Sequence, residues 1–147
     1  MKKEHYIEQL QKLYNEEKYF ELEKLCLKLV TTYEESFIYF FLGQAQINLN
    51  LTNIGEYHLK KAIFLNPNSV ISFNALGDLY LTFQKLEMAK KMFLSSLKID
   101  SNNIKIHLIY IKILLSLNEK KSSLKAIDEA LKYFPKSKEL KKLKFES

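Results

Sequence analysis

The residues of this chain recur at a fixed step. Gly43 and Gly77 lie 34 positions apart, and the two prolines, Pro67 and Pro135, lie 68 apart, twice that distance. The same step carries Tyr39 to Phe73 and His107, Leu42 to Leu76 and Tyr110, Leu59 to Phe93 and Ile127, and Ala62 to Ser96 and Ala130. Such self-similarity limits the fold severely, because one short period cannot bury its apolar face alone and has to stack on its neighbours. Within one period, Phe73, Leu76, Gly77, Tyr80 and Leu81 recur at helical spacing, and after a polar turn at Gln84-Lys85 so do Met88, Ala89, Met92, Phe93, Ser96 and Leu97. The period predicts a helical hairpin. Small residues at Gly77, Ala89 and Ser96 let the two helix axes approach closely, with aromatic rings filling the gaps.

At these residues the chain resembles the tetratricopeptide repeat (TPR), a helix-turn-helix unit marked by a large aromatic, Leu-Gly, Tyr, Ala, Phe, Ala and a closing Pro. Repeat 70–103 supplies Phe73, Leu76-Gly77, Tyr80, Ala89, Phe93 and Ser96, with Ser101 in the proline position. Repeat 36–69 supplies Tyr39, Leu42-Gly43, Ala62 and Pro67, with Gln46 for the tyrosine and Gly55 for the first alanine. Repeat 104–137 keeps Ala130 and Pro135, with Ile111 for the glycine and Ser123 for the first alanine. A degenerate copy over about 3–35, one residue short in register, places Tyr6, Leu10 and Leu13 on its first helix and Leu22, Cys26 and Leu29 on its second. The resemblance implies an all-α fold: a right-handed α-solenoid of TPR hairpins forming a single domain over 1–147, closed by a capping helix at 137–145 that starts at Ser137.

It also implies a working surface. In this family the second, fifth, ninth and twelfth positions of each first helix face a concave groove, which assigns Phe37, Phe40, Gln44 and Ile47, then Ile71, Asn74, Asp78 and Leu81, then Lys105, Leu108, Lys112 and Leu115 to a peptide-binding face. Gln44, Asp78 and Lys112 would form a polar line that hydrogen-bonds an extended backbone, while Phe37, Phe40, Ile71 and Leu108 accept apolar side chains. The plainer alternative pairs Asp78 with Lys112 as a surface salt bridge and packs the aromatic residues on one another. The clamp with which some TPR domains grip a chaperone's C-terminal carboxylate is missing: its positions hold Phe40, Gln44, Ala75, Lys105 and Ile109, or, one repeat earlier, Ile7, Gln11, Phe41, Ile71 and Ala75.

Composition excludes other classes. With 47% hydrophobic and 27% charged residues the chain is too apolar for disorder, and three glycines with two prolines are too few for a turn-dense β fold. No Gly-rich phosphate loop, G-x-S-x-G elbow or H-E-x-x-H helix occurs, so neither catalysis nor a cofactor is expected, and the scattered His5, His58 and His107 with a lone Cys26 suggest no metal site. Cys26 reads as a buried, inert thiol in a reducing, cytoplasmic setting, and no run reaches the ~20 apolar residues of a membrane span. The net charge is +6, yet every basic residue is lysine; without arginine, specific nucleic-acid readout is not expected. Residues 1–35 hold six lysines against eight acids and 104–147 eleven against five, a polarity that could favour homo-oligomers through the end repeats. The expected role is a scaffold or adaptor binding a peptide or helix of a partner protein. The alternatives are a secretion-type chaperone for an apolar client segment and the N-terminal TPR segment of a larger enzyme such as a glycosyltransferase. The lysine, Asn, Ile, Phe and Tyr bias suggests an AT-rich, bacterial genome.

Overall fold

The structure, a computed structural model, describes residues 3–147. Among the described residues there are nine α-helices and no strand: α1 (Lys3–Asn15), α2 (Tyr19–Leu29), α3 (Ser36–Asn48), α4 (Thr52–Leu65), α5 (Val70–Thr82), α6 (Leu86–Ile99), α7 (Ile104–Ser116), α8 (Lys120–Tyr133) and α9 (Lys138–Glu146). The fold class is an all-α helical repeat. The chain divides into two compact units, Met1–Leu76 and Gly77–Ser147, and the division falls inside α5.

The turns inside the hairpins share one geometry. Glu17, Asn50, Gln84 and Asn118 all have positive φ, between 55° and 63°, in a conformation that normally favours glycine. At each corner the following N–H reaches back to a carbonyl five residues earlier: Lys18 to Leu13, Leu51 to Gln46, Lys85 to Tyr80 and Glu119 to Leu114, at 2.8 to 2.9 Å. The corner residue's own N–H reaches three residues back, as Gln84 does to Leu81 at 2.9 Å. These are Schellman caps, which satisfy carbonyls that a helix end leaves unpaired. The polar turn expected at Gln84-Lys85 is one of them. Spacing between corners is 33, then 34 and 34, so the first interval is one residue shorter than the others. The difference falls between Leu29 and Glu35, because α2 has 11 residues where α4, α6 and α8 have 14, and its connection to α3 is longer.

Connections between hairpins use side chains instead. Asn66 Oδ1 accepts from Asn68 N–H at 3.1 Å, and Asp100 Oδ1 from Asn102 N–H at 2.9 Å, one period later. Asn103 caps α7 through Lys105 N–H at 3.1 Å, and Ser137 caps α9 through Leu140 N–H at 3.2 Å, as its position before the last helix predicts.

In the first unit the core gathers Leu10, Leu22, Cys26, Leu29, Ile38, Phe41, Leu42 and Ala45. Here α3 meets α4 backbone to backbone: a Cβ on either Gly43 or Gly55 would lie 2.8 Å from the other's carbonyl oxygen. Burial pushes the Cys26 thiol up to about 12, with Glu23 adding to the effect, so the thiolate is suppressed. In the second unit Ile111, Ile127, Ala130 and Leu140 form the core beneath α9. Lys90 of α6 binds Glu87 at 2.8 Å and Glu119 at 2.6 Å, and both contacts raise its pKa.

Candidate functional site

The first-helix faces are built as helical geometry requires, unit by unit. In the first unit Phe37, Phe40, Gln44 and Ile47 follow one another along one side of α3, all half-buried, and Ile71 and Asn74 lie one turn apart on α5. Phe37 and Phe40 lean against the core, Phe40 edge-on to Phe41 with ring centroids 5.2 Å apart. Lys3 places its ammonium 5.7 Å from the Phe37 ring. Ile71 is 54% exposed. Gln44 Nε2 donates to the Tyr14 hydroxyl at 3.3 Å, so one end of that amide is engaged within the fold. Asn74 differs: its Oδ1 is buried with no hydrogen-bond partner, the one such side-chain atom among the described residues. Leaving a buried acceptor unfilled costs about 1–3 kcal/mol, so a native chain that keeps one usually has a use for it.

In the second unit Asp78 and Leu81 occupy α5, and Lys105, Leu108 and Lys112 share one side of α7. Leu108 is half-buried against the core, whereas Lys105 and Lys112 are exposed. The surface pair weighed from sequence does not form: Lys112 reaches Glu139 of α9 at 3.3 Å, not Asp78. Asp78 makes no ion pair among the described residues, and desolvation raises its carboxyl above the ordinary range.

Two features escaped the pattern. Gln46, in the family's tyrosine position, is 3% exposed and joins a relay across three helices: His58 Nδ1–H donates to Gln46 Oε1 at 2.6 Å, and Gln46 Nε2 donates to Glu23 Oε1 at 3.2 Å. Burial lowers the His58 pKa while Glu23 opposes the shift, so the ring is held neutral between Tyr39 and Tyr57. No sequence spacing announces a contact among residues 23, 46 and 58. The second feature is a hollow of about 490 Å³ in the second unit, between α6 and α8 with α7 as its floor. Its signal was present in the sequence: Ser122 and Ala126 are small where the preceding repeat has Met88 and Met92. Among the described residues no group of three or more His, Cys, Asp or Glu is placed to hold a metal, and no helix is long and apolar enough to cross a membrane.

No family model matches the sequence, and no curated protein matches it. Solved structures do. The chain is similar to MamA (AMB-1), with a TM-score of 0.74 and 16% identity over 95% of this chain and 77% of that one. It is similar to the first TPR of Spaghetti (RPAP3) bound to the HSP90 peptide SRMEEVD, with a TM-score of 0.68 and 23% identity over 76% and 91% of the two chains. The first TPR domain of human RPAP3 gives a TM-score of 0.67 and 24% identity over 79% and 92%. At these identities the likeness is one of fold.

Proposed function

We propose that this chain, which has the tetratricopeptide-repeat fold, is a non-catalytic protein-interaction module that takes a peptide or helix of a partner protein on its first-helix faces. The observation that carries the reading is the exposed Ile71 on α5, one helical turn from Asn74. An apolar side chain of the partner covers Ile71, and the Asn74 amide lies beside it on the same face. Phe37, Phe40, Gln44 and Ile47 extend the surface in the first unit; Asp78, Leu81, Lys105, Leu108 and Lys112 offer a second one. A structural neighbour is bound to a peptide ending in Glu-Glu-Val-Asp, which supports peptide binding as the class of job. The partner differs, because the clamp positions here hold Phe40, Gln44, Ala75, Lys105 and Ile109. We infer a segment anchored by apolar side chains rather than by a terminal carboxylate.

Asn74→Leu separates stability from function. Removing the unfilled acceptor raises the urea midpoint of the free protein, while a partner identified by pull-down with wild-type bait and mass spectrometry is retained at least ~tenfold less tightly, a loss of about 1.4 kcal/mol. Ile71→Glu, on an exposed side chain, weakens the same partner without lowering the midpoint. Unchanged retention by both variants rejects the assignment.

A further inference from the structure

The hollow between α6 and α8 is unlike the first-helix faces in position and in chemistry. It exists because one repeat lacks what its predecessor has: Ser122 and Ala126 of α8 stand where α6 carries Met88 and Met92, so two long side chains are missing from the wall. Leu94, Leu97 and Ala126 give its sides an apolar lining. One wall is aromatic, with the Tyr133 ring stacked on His107 at 5.9 Å and the Tyr110 ring across the cavity's lining. His107 is oriented: the Ser101 carbonyl can only accept, so His107 Nε2 carries a proton in their 2.9 Å hydrogen bond.

The polar groups at this place are unspent. Neither Lys98 nor Lys125, both exposed on the rim, makes an ion pair among the described residues, and the Tyr110 and Tyr133 hydroxyls make no hydrogen bond there. The single acid of the rim, Glu129, is already neutralised by Lys132 at 2.6 Å. An apolar lining, an aromatic wall and two unpaired cations at the rim select one chemistry: a ring to enter and negative charge beside it. The volume exceeds that of one ring and leaves room for the residues beside it, and the opening to solvent suits a chain that continues past it.

We propose that this hollow is a second binding site, for an aromatic side chain flanked by carboxylates on a partner peptide. The site needs nothing from the first-helix faces, so it stands or falls separately from the function proposed above. The probe is the unlabelled peptide acetyl-Gly-Glu-Glu-Phe-Glu-Gly amide, titrated by isothermal calorimetry at low salt against the full chain. The expected result is saturable binding that falls at least ~tenfold with Ala126→Met, which refills the wall, and with Lys125→Glu, an exposed substitution that spares the core. Control peptides with Phe replaced by Ala, or with all Glu replaced by Gln, lose at least as much, and Ile71→Glu leaves binding unchanged. Absence of binding at about 1 mM peptide overturns the site. So does wild-type affinity in Lys125→Glu or Ala126→Met, and a control peptide that binds equally well overturns the stated chemistry.

Discussion

A methyl group added to Gly77 would lie 2.6 Å from the tip of the Phe93 ring, and that ring is fully buried. The glycine serves packing, since its backbone is ordinary helix and only the other helix needs the space. Gly77→Ala is therefore expected to destabilise the chain by about 1–3 kcal/mol from overpacking, reduced by the ~1 kcal/mol of helix propensity that alanine gains. Phe93→Leu removes the atoms the methyl strikes, so the double variant should cost less than the two single ones added together; additive values in urea unfolding would show that ring and glycine do not compete for the same volume. This contact was legible as a Leu-Gly followed sixteen residues later by Phe. Asn74 was legible only as a residue facing outward, because whether its oxygen finds a donor depends on atoms from other helices.

At the scale of helices, the hairpins were readable from periodicity because α6 and α8 each carry a single apolar stripe, while α3 and α5 are apolar on most sides and were placed by the repeat. Of their corners, the polar turn at Gln84-Lys85 was readable, but the left-handed geometry was not, since Glu17 and Gln84 are poor residues for positive φ. Nor was the destination of Lys112, which turns to a helix that sequence treats as a mere end cap. That helix is more than a solubilising lid. Leu140 is fully buried among Ile111, Ile127 and Ala130, and Lys144 binds Asp128 of α8 at 2.8 Å. Leu140→Ala should cost about 2–5 kcal/mol in chemical unfolding, whereas Lys144→Ala, an exposed pair, should cost under ~1 kcal/mol. Equal effects would mean that α9 is held by charge.

For the whole molecule, the excess of +6 is unevenly spread: residues 104–147 hold eleven lysines against five acids, and the three earlier stretches nearly balance. With no arginine to read bases, contact with RNA should be a matter of counterions only. Anisotropy titrations with random-sequence RNA should therefore show weak binding at 50 mM salt that is lost near ~200 mM, without preference among sequences. Binding that survives that salt would point to a recognition surface the charge pattern does not contain. The hairpin corners carry one more consequence, a matter of handedness. Glu17, Asn50, Gln84 and Asn118 hold the backbone that the mirror image of an amino acid prefers. Chemical synthesis with a D residue at these four positions should be tolerated or favoured, and the same exchange inside any helix should not. Spaced 33, 34 and 34 apart, those heterochiral positions alone would spell out the period of the fold.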